Sequence, residues 1–251
     1  MTAITPGHVF LVTGATGAIG FEIAAQAAQA GAVVAVHGSS AESVAQAMDR
    51  LRSRVAGASL IAAPADFRQD GAIEAMVADV AAQAGRLDAV IHCGITGASG
   101  VAGLFGKANA DNFAAHSALV IGTLQKLSYA ALPHLSVQGG TIIGFASDAG
   151  RFAAPRQAVI GAAFAGVMGF VRNLAMEVGR NGVRVHCLSP SFVADTPAYA
   201  MHADRAGSAI ARAGLGLPSP ADIAPMALFL CSPGAAKITG QIISINGGLN
   251  A

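Results

Sequence analysis

Two short stretches and one histidine carry residue types that could do chemistry. The first stretch is T-G-A-T-G-A-I-G at 13–20, where glycines permit a tight turn and let backbone N–H groups approach a phosphate. The second is S-D-A-G at 147–150, which places a serine hydroxyl beside a carboxylate ahead of an apolar run. His92 adds a side chain that can act as a general acid or base near neutral pH. Nucleotide binding and proton transfer are therefore the chemistries to consider.

The elements that must position these residues follow from the hydrophobic pattern. Seven short apolar runs, continuous rather than alternating, predict strands that are buried on both faces. They lie at 8–12, 33–36, 59–63, 88–92, 141–145, 183–188 and 241–245. The amphipathic segments between them predict helices, the first ending near Ala30 and the others at 41–54, 70–84, 109–133, 155–180 and 220–231.

This alternation of strands and helices predicts an α/β fold. We expect a doubly wound, parallel, seven-stranded sheet of the Rossmann type, in a single domain that spans residues 1–251. A Pro/Gly-rich segment at 190–220 is expected to be irregular. Ligands of such folds bind at the carboxyl ends of the strands, which is where the glycine-rich turn and His92 lie.

The motifs and their order resemble the short-chain dehydrogenase/reductase family over essentially the whole chain. The turn at 13–20 is similar to the family's T-G-x-x-x-G-x-G, with Ala18 at the middle glycine. Asp66 follows the third strand, and the resemblance implies that it contacts an adenine. V-R-V-H-C-L-S-P at 183–190 matches the family's sixth strand and the proline after it. The cofactor-binding residues that the resemblance implies are Gly14, Ala18, Ile19, Gly20, Asp66 and Phe67.

The same resemblance places the family's catalytic residues at positions that are mostly apolar here. Ser147 takes the position of the serine that orients the carbonyl. The tyrosine that exchanges a proton with the substrate falls on Ile160, and the lysine that lowers its pKa falls on Phe164. The asparagine of the proton relay falls on Leu119. Since residues that act as a unit lose function together, the resemblance implies that hydride transfer is lost and that no catalytic residue remains.

The cofactor contacts implied by the resemblance are also incomplete. The family carries an acidic or basic residue after the second strand to bind the ribose, whereas this chain has H-G-S-S at 37–40. The family's N-N-A-G after the fourth strand becomes H-C-G-I at 92–95. NAD binding is therefore an open possibility that we expect to be weak, and no other cofactor is expected.

Three functions remain open from the sequence. The first is a silent structural subunit, whose partner is a homologous active dehydrogenase subunit in an NAD-dependent heterotetramer. A β-hydroxyacyl-CoA such as 2-(hydroxybenzyl)succinyl-CoA is the expected substrate class of that complex. The second is an active oxidoreductase in which His92 or Asp148 is the acid/base and Ser147 orients the substrate. The third is a regulator that binds a nucleotide without reacting.

Each polar candidate also has a structural interpretation. His92 is more simply a hydrogen-bonded histidine that replaces a family asparagine, and Asp148 is more simply a turn or helix-cap carboxylate. These interpretations favour the silent subunit over the active enzyme.

The composition of the chain excludes some classes of binding partner. The chain is 53% hydrophobic and only 12% charged, which favours large buried interfaces. A net charge of +1 without a basic stripe argues against nucleic acid. Three dispersed cysteines without a C-x-x-C pair argue against a zinc site, so no metal is expected. The apolar run at 158–171 is shorter than a bilayer span, and the N-terminus lacks a targeting pattern, so we expect a cytoplasmic protein without a membrane partner.

Overall fold

Seven parallel strands form the sheet at the centre of the molecule. The structure is a computed structural model that describes residues 4–94, 100–200 and 203–250, without the side chains of 203–206. The strands are β1 Val9–Thr13, β2 Val33–Gly38, β3 Leu60–Pro64, β4 Ala89–His92, β5 Gly140–Phe145, β6 Val183–Pro190 and β7 Ile242–Ile245. Their order is β3-β2-β1-β4-β5-β6-β7. The predicted seven-stranded, doubly wound sheet is confirmed.

Helices cover both faces of this sheet. They are α1 Ala18–Gln29, α2 Ala41–Arg54, α3 Ala72–Ala84, α4 Phe113–Ser117, α5 Thr123–Leu135, α6 Ala158–Val178, α7 Pro197–Ala200, α8 Ala203–Arg212 and α9 Pro220–Cys231. Helices α1, α2 and α9 pack on one face of the sheet, with the β1 side chains Phe10 and Val12. Helices α3, α5 and α6 pack on the other face, with Val9 and Leu11. Successive β1 residues thus serve opposite cores, which explains why the strand is continuously apolar.

The helical region predicted at 109–133 is confirmed, and a π-helical turn at Ala118–Gly122 divides it into α4 and α5. There the Thr123 hydroxyl donates a hydrogen bond to the Leu119 carbonyl, which compensates for the altered backbone pairing. The segment 190–220, expected to be irregular, contains α7 and α8. Its alanines favour local helix between the breaking Pro and Gly residues.

The strand order reverses between β1 and β4, and this reversal creates the main crevice of the fold. β1 pairs with β2 on one side and with β4 on the other. The connections that follow β1 and β4 therefore run to opposite sides of the sheet. The turn after β1 and the end of β4 therefore face each other. This is the position at which open α/β sheets bind ligands.

Helix α6 is long, apolar and only partly covered. Together with the turn that follows it, α6 runs over 24 residues, Ala158–Asn181, with a mean hydropathy of 1.6 in its most apolar window, of which 28% is buried. Within the described ranges it alone meets the length and composition of a membrane-crossing helix. The uncharged stretch at 158–171 lies within this helix, which continues through the charged residues Arg172 and Glu177.

Candidate functional site

The glycine-rich turn after β1 has the geometry of a phosphate-binding turn. Gly14 has φ +70°, and a Cβ there would lie 2.6 Å from the backbone of Gly94 at the end of β4. A Cβ on Gly20 would collide with the Gly14 carbonyl. Both glycines are thus required by close backbone packing, as the sequence pattern predicted.

The N-terminus of α1 is open toward this turn. Gly17 is the N-cap residue and supplies no capping side chain, and the first turn of the helix has no acidic residue. The backbone N–H groups of Ala18 and Ile19 have no intrahelical acceptor at this end. Together with the positive end of the helix dipole, they make this position suitable for an anionic group such as a phosphate.

A pocket of about 490 Å³ lies beside the turn, at the carboxyl ends of β1, β2, β3 and β4. It is lined by Gly14, Thr16, His37, Gly38, Ser39, Ala65, Asp66, Phe67, Arg68, Gly94, Leu119 and Thr123. The structure thus brings together the predicted residues Gly14, Asp66 and Phe67. The volume suits a nucleotide-sized portion of a ligand.

Asp66 is engaged by a neighbouring arginine. The Arg68 Nη2 donates to Asp66 Oδ2 at 2.6 Å, and the Arg68 Nε and backbone N–H both donate to Oδ1. These hydrogen bonds lower the pKa of the Asp66 carboxyl to about 2. Because the Arg68 side chain is 75% exposed, a ligand that hydrogen-bonds Asp66 has to share it with a mobile arginine or displace that arginine.

His37 forms part of the pocket wall and was missed by sequence reasoning as a functional position. Its Nδ1 accepts from the Gly14 N–H at 3.0 Å, so its Nε2 carries the proton and donates to the Ala65 carbonyl at 3.0 Å. The ring stacks on Phe67 with centroids 4.3 Å apart. Burial lowers the His37 pKa to about 4, which keeps the ring neutral. A polar residue inside the apolar strand β2 was the signal available in the sequence.

His92 is a buried structural residue. Its Nδ1 lies 2.7 Å from the Thr13 hydroxyl and its Nε2 lies 3.2 Å from the Thr123 hydroxyl. Because Thr123 donates its own proton to Leu119, Nε2 of His92 is the donor and Nδ1 the acceptor. Burial, with a smaller effect of His37, lowers the His92 pKa to about 3. Both ring nitrogens are committed to hydrogen bonds, which argues against the acid/base role considered from the sequence.

The positions aligned with the catalytic tyrosine and lysine lie on the first turns of α6. Ile160 and Phe164 are both partly buried, and Phe164 packs against the core beneath α3, α5 and α6. Gly150 lies against Phe164 so closely that a Cβ there would be 2.8 Å from the Phe164 Cβ. Leu119 lines the pocket from the π-helical turn. None of these three side chains can donate or accept a proton.

Ser147 and Asp148 have separate structural roles. The Ser147 Oγ accepts from the Ala149 N–H at 3.3 Å and caps the 3₁₀ turn after β5. Asp148 lies in this turn, as one of the two structural interpretations expected, but it is 1% exposed and the capping residue is Ser147. The Asp148 carboxylate accepts hydrogen bonds from four side chains at 2.6–3.2 Å: Ser189, Ser244, Asn246 and Asn250.

Asp148 therefore joins the end of β5 to the ends of β6 and β7 and to the C-terminal residues. Its lone pairs accept from neutral donors, and Asp148 is not among the residues that line the pocket beside the turn. The arrangement stabilises the fold and argues against acid catalysis by Asp148.

Two further sequence predictions concern the H-C-G-I motif and metal binding. Ile95, part of the altered H-C-G-I motif, lies outside the described residues. In the described parts of the chain, no group of three or more His, Cys, Asp or Glu side chains is placed to hold a metal ion.

Comparisons with known proteins place this site in a family. A family model described as enoyl-(acyl carrier protein) reductase matches residues 14–250. The 3-oxoacyl-(acyl-carrier-protein) reductase FabG of Chlamydia trachomatis is 29% identical over 252 residues, covering 99% of this chain and 100% of the relative. The enzyme of the same name from Vibrio cholerae is 32% identical, covering 97% of each chain.

A solved structure has the same fold over nearly its full length. The 7α-hydroxysteroid dehydrogenase, in a complex with NADH and 7-oxo glycochenodeoxycholic acid, superposes with a TM-score of 0.88 at 26% identity. The match covers 97% of this chain and 94% of the dehydrogenase.

Proposed function

We propose that this chain, which belongs to the short-chain dehydrogenase/reductase family of oxidoreductases, is a catalytically silent subunit that supports a homologous active subunit. The observation that carries the proposal is the replacement of the proton donor and its activating cation by Ile160 and Phe164. Family relatives are named as reductases, so the proposal rests on what this chain has exchanged at the site, and not on its overall similarity.

The positions and contacts of the two tyrosines, His92 and Asp148 support the loss of the proton transfer. Of the two tyrosines, Tyr129 is 81% exposed on α5 and Tyr199 lies on α7. The His92 ring is held by two threonines and is kept neutral by burial. Asp148 is saturated by four donors. These contacts support the proposal that the chain has lost proton transfer and retained the fold.

The partner is a second short-chain dehydrogenase that carries an intact Tyr-x-x-x-Lys pair. The name of the relatives supports a β-hydroxyacyl thioester as the substrate class, because a 3-oxoacyl thioester and a β-hydroxyacyl thioester are the two sides of one hydride transfer. A β-hydroxyacyl-CoA such as 2-(hydroxybenzyl)succinyl-CoA belongs to this class. NAD is the cofactor of the active subunit in this proposal.

The proposal is tested with the complex and with variants of each subunit. Co-expression with a homologous dehydrogenase from the same genome should give a heteromer by native mass spectrometry, with NAD-dependent turnover. Replacing the partner's catalytic tyrosine by phenylalanine should abolish turnover, whereas Ser147→Ala and His92→Asn in this chain should leave kcat within about twofold. A loss of kcat above about a hundredfold in Ser147→Ala, with the heteromer intact, would show that this chain is catalytic.

A second candidate function is nucleotide sensing, favoured by the retained Gly14 and Gly20 of the turn and by the adjacent pocket of about 490 Å³. The open α1 N-terminus and the Asp66 carboxylate are the groups that would hold a pyrophosphate and an adenine. Calorimetry with NAD, NADH, NADPH and ADP tests this candidate. Binding of ADP as tight as that of NAD supports adenosine recognition, and the absence of heat with all four ligands removes the candidate.

A further inference from the structure

The C-terminal residues 246–250 contact the buried Asp148 carboxylate on one side and the segment 207–217 on the other. We call residues 246–250 the strap. We call residues 207–217, which contain the C-terminal half of α8 and the turn after it, the cover segment. Because the strap directly follows β7, the two segments meet at the carboxyl edge of the sheet, where such folds bind their ligands.

The inner side of the strap is bound to Asp148. The Asn246 Nδ2 donates to Asp148 Oδ2 at 2.6 Å, and the Asn250 Nδ2 donates to the same oxygen at 3.2 Å. Asn246 also accepts a hydrogen bond from the Gly248 N–H at 2.9 Å through its Oδ1, and one from the Leu249 N–H at 3.2 Å through its carbonyl. Since hydrogen bonds to a carboxylate are stronger than those between neutral groups, Asp148 fixes the position of the strap.

The outer side of the strap is bound to the cover segment. The Leu215 N–H donates to the Gly247 carbonyl at 3.0 Å. A Cβ on Gly247 would collide with the backbone of the cover segment, so the two backbones are in direct contact. Leu249 is 7% exposed and packs with Ala209 and Ala213 in a small apolar cluster. The cover segment cannot move away from the strap without breaking this hydrogen bond and exposing the cluster.

The Asn250 side chain bridges the two sides of the strap. Its Nδ2 donates to Asp148, and its Oδ1 accepts from the Arg212 Nη2 at 3.3 Å. Because a carboxylate can only accept and a guanidinium can only donate, these two partners fix the orientation of the amide. A chain of hydrogen bonds therefore runs from Asp148, beside Ser147, through Asn250 to the end of α8.

These contacts make the cover segment dependent on Asp148, although the two do not adjoin in sequence. We infer that the strap, held by Asp148, locks the cover segment at the carboxyl edge of the sheet, and that the strap and the cover segment open together as one unit. Local opening of such a unit is governed by the contacts that join it to the rest of the fold. The inference goes beyond the proposed silent subunit and does not depend on it.

Asn250→Ala tests the bridge in the full chain. Hydrogen exchange of the cover segment, measured by mass spectrometry, should become at least about tenfold faster, while exchange in β1 and β4 stays unchanged. Asn181→Ala is the matched control, because it removes an exposed asparagine from the turn after α6, and it should change exchange of the cover segment by less than about twofold. Unchanged exchange of the cover segment in Asn250→Ala would overturn the inference, as would equal acceleration in all strands.

Ala209→Asp tests whether the two segments open together. A carboxylate buried beside Leu249 should detach the cover segment. Because coupling between two sites is reciprocal, exchange in the strap should also become at least about tenfold faster. Ala211→Asp makes the same substitution at an exposed position of α8 and should leave exchange of the strap within about twofold of the wild-type rate.

A strap that stays protected in Ala209→Asp while the cover segment exchanges rapidly would overturn the inference, because the two segments would then open separately. Turnover does not enter either experiment. The inference can therefore fail while the proposed silent subunit holds, and the reverse is also true.

Discussion

The turn after β1 and the segment from β5 into α6 both lie at the carboxyl edge of the sheet, and they have changed in opposite ways. In the first region, the required glycines remain and the N-terminus of α1 is open to an anion. In the second region, polar groups are turned inward or replaced, with Asp148 buried and Phe164 packed on the core. Packing and internal hydrogen bonds have taken the place of reactive side chains.

This difference shows that a ligand-binding turn can be retained because its glycines are required for packing of the fold. The Gly14 and Gly20 backbones are in contact with Gly94 and with each other, so substitution there would disturb the sheet whether or not a nucleotide binds. Tyrosine and lysine on α6, by contrast, would be required only for chemistry. Each prediction below tests one side of this comparison, beginning with the largest effect.

Asp148→Ala should cause the largest loss of stability. It removes the shared acceptor of four side chains and leaves buried donors unpaired, so the free energy of unfolding should fall by about 4 kcal/mol. Urea unfolding measures the change, with Asp111→Ala as a control at an exposed carboxylate. A loss below about 1 kcal/mol would contradict the structural role of Asp148.

Gly20→Ala should destabilise the turn region, because its Cβ would collide with the Gly14 carbonyl. We expect a loss of about 2–3 kcal/mol in the free energy of unfolding. Gly17→Ala is the matched control, since a Cβ there meets its nearest atom at 3.5 Å, and it should cost less than about 1 kcal/mol. Equal effects of the two substitutions would show that close packing does not explain the turn geometry.

The buried histidines should make stability depend on acid pH. The folded-state pKa of His37 is about 4 and that of His92 about 3, both lowered mainly by burial, so the unfolded chain binds more protons below about pH 6.5. The free energy of unfolding should therefore fall as the pH falls, by about 2 kcal/mol per buried histidine between about pH 7.5 and 5.

His92→Asn isolates one of these contributions. It should reduce the pH dependence of the free energy of unfolding, measured by urea titration, by about 2 kcal/mol over the same interval while leaving the contribution of His37. An unchanged pH dependence in this variant would contradict the neutral, buried state that we assign to His92.

Restoring the family residues should have the smallest effect on function. Ile160→Tyr/Phe164→Lys supplies the missing proton donor and cation but leaves Leu119 and the altered turn at 37–40. We expect no hydride transfer above the uncatalysed rate. Robust turnover by the double variant would show that the remaining site is better preserved than we conclude.

The sequence predicted the sheet well because buried parallel strands are continuous and apolar, and all seven were located within two residues of their observed bounds. It also predicted the tight turn at Gly14, which follows from a local motif, whereas the adenine contact implied for Asp66 stays a prediction. The role of Asp148 could not be predicted, because its four donors lie between 41 and 102 residues away in the chain. The π-helical turn at Leu119 was also missed. There the Thr123 hydroxyl, four residues further along the chain, donates to the Leu119 carbonyl and contacts His92 of β4, 31 residues away.

The most direct test of the central claim is hydride transfer by the purified chain alone. The absorbance of NADH and of NADPH would be followed in the presence of a 3-oxoacyl thioester, with an active family reductase as the positive control. The loss of the tyrosine and lysine at Ile160 and Phe164 predicts no consumption above the protein-free rate. Turnover by this chain that disappears in Ser147→Ala or His92→Asn would contradict the account.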